Sequence, residues 1–230
     1  MPMRIAKTLL LQIDVQNDFC PAYSLGPRRW PGGALAVRGG GEVVAPLNAL
    51  AAAFARGGGR VAATQDWHPA GHLSFASSHP GRKPGDVVPA GDGRGERILW
   101  PDHCVQGEGG ADFHAGLDLA PASLILRKGA RPGLDSYSAF FENDRKTPTG
   151  LGGWIRGLGI DAVVIGGLAM DYCVLYSALD AAALGLAAVV VEDAVRGVDY
   201  PAGSAEKAVA RMRSAGVAFS DSAKLLGELL

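Results

Sequence analysis

Apolar runs of strand length alternate with segments of helical length along the whole chain. Continuous stretches of Val, Ile, Leu and Ala mark strands near 8–14, 60–64, 123–127, 162–166, 187–191 and 217–219. Helices fit near 42–55, 149–157, 172–184, 203–214 and 222–229. Strands that are apolar throughout, rather than alternating, are covered on both faces. Right-handed crossovers then give a doubly wound, three-layer α/β/α domain around a mostly parallel sheet. Glycines at 57–59, 150–153 and 166–167 punctuate the joins. Two regions break the alternation, 18–41 and 66–122, and long loops in a compact domain usually carry function. The GGG runs at 39–41 and 57–59 lack any phosphate-binding frame and read as turns.

The strand ends carry the chemistry. In TLLLQIDVQNDF, Asp14 stands where the apolar run stops, and in ASLILRKGARPG, Lys128 follows the strand at once. In VVIGGLAMDYCVLYSAL, Cys173 falls where a buried strand hands over to a helix beginning near Asp171. A thiol at a helix start meets free N–H groups and the positive end of the helix dipole, which favour thiolate. The carboxyl ends of parallel strands share one edge, and ligands bind there. A carboxylate, an ammonium and a thiol at three such ends form a candidate nucleophilic site.

A fourth strand end suggests a metal. TQDWHP places Asp66 and His68 two residues apart, so that extended chain sends both side chains to one side. His103 in LWPDHCVQG completes a two-histidine, one-carboxylate set with open positions, a pattern suited to a catalytic divalent ion. His72 is a candidate fourth ligand or outer group, while His79 and His114 are expected on the surface. Zinc heads the candidates, with iron and manganese also compatible.

Composition narrows the classes. At 230 residues, 48% of them hydrophobic, the chain fits a single domain spanning 1–230 with a full core. A formal net charge of −1 and the lack of any basic stripe speak against nucleic acid. Three cysteines without CxxC spacing speak against a disulfide framework. The N-terminal apolar run is too short for a secretory signal, and Asp171 and Asp180 interrupt the longest hydrophobic region, so no membrane span and a cytoplasmic location are expected. A homo-oligomer is left open.

The motifs VQNDF, GGALAV, TQDWHP, WPDHCVQG, DSYSAFFEN and GLAMDYCV, in this order, resemble those of bacterial nicotinamidases within the isochorismatase-like cysteine hydrolases. Members of that family are also called pyrazinamidases, since they deamidate pyrazinamide. The resemblance covers nearly the whole chain and implies a six-stranded parallel sheet. It implies Cys173 as nucleophile, Asp14 as general base and Lys128 as their electrostatic support. It further implies Asp66, His68 and His103 as metal ligands. Ala169, following a cis peptide after Leu168, would form the oxyanion hole with Cys173, and Phe19, Trp100 and Tyr137 would line the pyridine pocket. The expected reaction is hydrolysis of nicotinamide to nicotinate and ammonia through a thioester, in NAD salvage, with the metal holding the ring nitrogen.

Two departures stand out. PAYSLGPRRWP at 21–31 interrupts a stretch where the family runs almost directly from NDFC into GGALAV, and a lid, a subunit contact and a surface protrusion are all open readings. Met170 stands where a smaller residue, often threonine, is usual, and a side chain that trims the pocket and one that points away from it are both open readings. The alternatives to a nicotinamidase are a hydrolase of another small amide, such as a carbamoyl or ureido compound, and a binding protein without turnover. Retention of Asp14, Lys128 and Cys173 weighs against the second.

Overall fold

The computed structural model describes residues 4–90 and 95–229. Its strands and helices in chain order are β1 (Thr8–Ile13), β2 (Tyr23–Leu25), β3 (Arg28–Trp30), α1 (Val44–Arg56), β4 (Arg60–Asp66), β5 (Val87–Pro89), β6 (Glu96–Ile98), β7 (Leu124–Lys128), α2 (Leu151–Gly157), β8 (Ala162–Leu168), α3 (Leu175–Ala183), β9 (Ala187–Arg196), α4 (Ser204–Ser214), β10 (Ala218–Ser220) and α5 (Ser222–Leu229). Six strands make one sheet in the order β10-β9-β8-β1-β4-β7, and every pairing in it is parallel.

Side chains of β1 alternate between two apolar cores. Leu9, Leu11 and Ile13 face the side covered by α2, α3 and α4, through Leu151, Ile155, Ala178 and Met212. Leu10 faces the other side, covered by α1 and α5 through Leu47, Phe54 and Leu225. All four β1 residues are fully buried, and each such side chain contributes about 1.5–3 kcal/mol of transfer free energy. Burial on both faces is what makes these runs continuous in the sequence.

Gln12 is the exception in that strand. It is fully buried, and neither amide atom finds a hydrogen-bond partner among the described residues. A desolvated, unpaired polar group costs about 1–3 kcal/mol. Gln12→Met, which keeps the shape and removes the amide, is therefore expected to raise stability by about 1–3 kcal/mol, seen as a higher denaturant midpoint at unchanged slope.

Some element boundaries differ from those the sequence predicts. β9 continues to Arg196, past the polar pair Glu192–Asp193 that ends the apolar run, because a register shift between Ile165 and Gly167 lets β8 pair Leu168 with Arg196. Gly167 has φ +125°, and a Cβ there would lie 2.0 Å from the Ile13 carbonyl oxygen, so only glycine fits. The predicted helix from 172 is first a wide π-type turn, Met170–Val174, and becomes α-helical only at Leu175. The two long loops also carry structure of their own, the hairpins β2–β3 and β5–β6.

Candidate active site and metal centre

β1, β4, β7 and β8 are neighbours in the sheet, and their carboxyl ends deliver Asp14, Asp66, Lys128 and the Ala169–Cys173 turn to one place. The Lys128 ammonium is the hub. Its Nζ lies 2.8 Å from Asp14 Oδ2, contacts Asp66 Oδ1, donates to the Ser136 carbonyl at 3.0 Å and stands 3.5 Å from Cys173 Sγ. Asp14 Oδ1 accepts the Thr64 hydroxyl at 2.6 Å. The Asp14 backbone sits at φ 45°, where strand ends and the side chain turns back into the site.

Electrostatics follow from this burial. For Lys128, desolvation opposes the charge, but the flanking Asp14 and Asp66 outweigh it and hold the group firmly as ammonium. Asp66 is desolvated as well, yet Lys128 outweighs that and keeps its carboxyl well below the usual range. Burial raises Asp14, with Lys128 opposing. Burial also pushes the Cys173 thiol well up; Lys128 opposes that, while Asp14 and Asp66 add to it. Burial and the neighbouring carboxylates thus favour the thiol form of Cys173, against the pull toward thiolate expected at a helix start. The reason is that Cys173 lies within the π-type turn and beside two carboxylates, which the dipole argument leaves out.

Beside this cluster, donor atoms of Asp66, His68 and His103 lie within 4.8 Å of one another, all in buried side chains. His68 Nδ1 meets the Gly129 carbonyl at 2.9 Å and His103 Nδ1 meets the Pro101 carbonyl at 2.8 Å. Each ring therefore carries its proton on Nδ1 and leaves Nε2 as a lone pair, the tautomer a metal ligand needs. Burial lowers His103 to about 4, which keeps it neutral. This donor set fits a divalent ion. His72 is outside it: the ring stacks on His68 at 4.3 Å and bonds the Ser74 hydroxyl at 2.7 Å, grouping instead with His68 and Asp135.

A small cavity joins the two clusters. Phe19, Trp100, Tyr137, Ala169 and Cys173 all line it, together with the three metal-set residues. The Leu168–Ala169 peptide is cis. Trp100 Nε1 donates to the Tyr137 hydroxyl at 3.3 Å, and Phe19 packs 5.5 Å from the His103 ring. Asp18 fixes the Phe19 turn by accepting the Cys104 and Ala34 N–H groups, at 2.7 and 3.1 Å.

Two open readings close here, and the expected place of His114 is corrected. Met170 is not on the cavity wall; it packs against the core on the α3 side. Neither is the 21–31 insertion, whose hairpin is fastened outside by the Tyr23 hydroxyl on Asn17 Oδ1 at 2.6 Å. His114 is buried rather than on the surface, because the insertion's Tyr23 covers it at 3.9 Å between ring centres. His79 is half-buried, with Nε2 on the Leu73 carbonyl at 2.8 Å. Cys20 and Cys104 are free and buried, and burial raises Cys20 to about 12, in keeping with inert packing.

Thr64, Ser136, Asp135 and Tyr172 escaped the sequence reading. Thr64 had a signal, lying two residues before Asp66 on the same strand face. Asp135 and Ser136 stand in the DSYSAFFEN motif, of which only the tyrosine had been assigned a place. Tyr172, between Asp171 and Cys173, carried no signal of its own.

A parallel sheet covered by helices on both faces, with buried Asp, Lys and Cys at the carboxyl ends of its strands, defines a three-layer α/β/α domain with its site at the sheet's carboxyl edge. The isochorismatase domain model matches residues 8–224, and the chain belongs to that family. It is 43% identical to the nicotinamidase of Acinetobacter baylyi over 208 residues, 90% of this chain and 89% of the relative. Among solved structures, the nicotinamidase/pyrazinamidase of Acinetobacter baumanii is 41% identical, superposes with a TM-score of 0.86, and matches 96% of this chain and 98% of its own. A pyrazinamidase of Pyrococcus horikoshii, solved in complex with zinc, is 31% identical with a TM-score of 0.73, over 94% and 99% of the two chains.

Proposed function

We propose that the protein is a nicotinamidase, hydrolysing the carboxamide of nicotinamide to nicotinate and ammonia, and that it also accepts pyrazinamide. The single observation that carries this reading is the Asp14–Lys128–Cys173 cluster opening into a cavity lined by Phe19, Trp100 and Tyr137 beside the Asp66, His68 and His103 set.

In this reading Asp14 takes the proton of the neutral Cys173 thiol as sulfur attacks the amide carbon. Transfer within the buried cluster avoids releasing a free thiolate, and Lys128 at 3.5 Å from Sγ stabilises the sulfur as its charge develops. The backbone N–H groups of Ala169 and Cys173 receive the developing oxyanion, each donor typically contributing about 3 kcal/mol. Asp14 returns the proton to the departing nitrogen so that ammonia leaves. It then removes a proton from the water that hydrolyses the Cys173 thioester, giving nicotinate. Phe19 and Trp100 restrain the ring plane by stacking. Asp66, His68 and His103 would hold a divalent ion, zinc in our reading, which when bound would offer the ring nitrogen a ligand position and so help to orient the carboxamide over sulfur.

The test is ammonia release from nicotinamide by purified protein, with and without prior chelation. Release is expected, together with a fall on chelation that appears mainly as a raised KM and is restored by zinc. Absence of release from folded, metal-loaded protein would reject the reading in favour of another small amide.

A further inference from the structure

A carboxylate with no assigned task stands on the reaction-cavity wall. Asp135 is 4% exposed and lines both the cavity holding Cys173 and an adjoining one of about 260 Å³. One carboxylate oxygen lies within 4.8 Å of a ring nitrogen of His68 and of one of His72. The group is held firmly: Oδ1 accepts the Ser136 N–H at 2.8 Å, and the Asp135 carbonyl accepts the Asn143 N–H at 2.8 Å. Asn143 in turn accepts the Tyr137 N–H at 2.9 Å, so the loop is fastened at both ends.

Charge balance gives this carboxylate a role. The set Asp66, His68 and His103 offers a divalent ion one negative charge, and Asp66 already shares that charge with Lys128. Asp135, with an oxygen within 4.8 Å of a His68 ring nitrogen, brings a second carboxylate beside that set. His72 stacks on His68 at 4.3 Å between ring centres, and Asp135 lines the same cavity as Asp66, His68 and His103 without belonging to that donor set.

We infer that Asp135 is the outer carboxylate of the metal centre, accepting hydrogen bonds from water that fills the ion's open positions on the His72 side. This rests on Asp66, His68 and His103 being the ligands. Outer carboxylates of this kind raise metal affinity by about 10- to 100-fold.

Asp135→Asn tests it, since the amide oxygen still accepts the Ser136 N–H while the charge is lost. Zinc affinity, measured by competition with a chromophoric chelator, is expected to fall about 10- to 100-fold. The visible spectrum of the cobalt-loaded variant is expected to shift, and the chelated variant to melt as the chelated wild type does. Asp135→Glu, which restores the charge, should recover most of the affinity. Unchanged zinc affinity overturns the inference, whether the variant shows a raised KM, meaning contact with substrate, or a lowered melting point after chelation, meaning that it only fastens the loop. His103→Ala runs alongside: if it too leaves zinc binding intact, the ligand set itself is wrong, a failure distinct from that of Asp135.

Discussion

Lys128→Met is expected to cost the protein both its activity and much of its stability. The ammonium is fully buried and faces Asp14, Asp66, Ser136 and Cys173 at once. Methionine fills much of the volume but leaves two buried carboxylates facing each other without a counter-charge. Removing one partner of a buried ion pair typically destabilises by about 3–5 kcal/mol, or roughly 6–20 °C in melting temperature for a chain of this size. The sign of its pH dependence follows from the carboxylates. In wild type, Lys128 holds Asp66 well below its ordinary range. Without the lysine, burial and mutual repulsion raise both folded-state values above the unfolded ones. Such groups contribute stability that is present at low pH and lost as pH rises through the folded value. Chelated Lys128→Met should therefore melt closest to chelated wild type in acid and fall further behind in neutral buffer. Its kcat, measured on the folded fraction with zinc restored, should drop by about 10^2- to 10^3-fold, the scale of losing one electrostatic donor at a reacting centre.

Cys173→Ala is expected to have the opposite profile: a folded, metal-binding protein with no turnover. The thiol is buried at 4% exposure, but its loss removes one sulfur and leaves Lys128 with Asp14, Asp66 and Ser136 as partners. Stability should change by about 1 kcal/mol, since the side chain is small. Activity should fall on the order of 10^4-fold or more, as in other enzymes stripped of the nucleophile. Nicotinamide and zinc binding should persist, because neither the Phe19 and Trp100 walls nor the Asp66, His68 and His103 set depends on sulfur. Calorimetric titration of the variant checks this. A residual rate within tenfold of wild type would place the nucleophile elsewhere.

The inner strands of the sheet were legible because they are buried on both faces, which turns Leu9 to Leu11 or Val163 to Ile165 into unbroken apolar runs, whereas the edge strand β7 leaves Ile125 exposed. Site residues were legible for a related reason: a polar group that ends such a run must sit at the sheet's carboxyl edge. Asp14, Asp66 and Lys128 all obey that rule. The small hairpins β2–β3 and β5–β6 were not legible, since three-residue strands are too short to show a period. Met170 was left open and His114 misplaced for want of non-local information. One turned toward the core through the π-type turn, and the other was covered by a tyrosine 91 positions away in the chain. For Cys173, sequence shows the helix that begins near it, which favours thiolate, but not the carboxylates brought beside it, which favour the thiol.

The most direct test is to stop the reaction with acid during turnover of nicotinamide and weigh the intact protein. A gain of one nicotinoyl group, mapped to the peptide carrying Cys173 and absent from Cys173→Ala, is the predicted result. Steady turnover with no adduct under any quench time, or an adduct on another residue, would contradict attack by Cys173 and with it the roles given to Asp14 and Lys128.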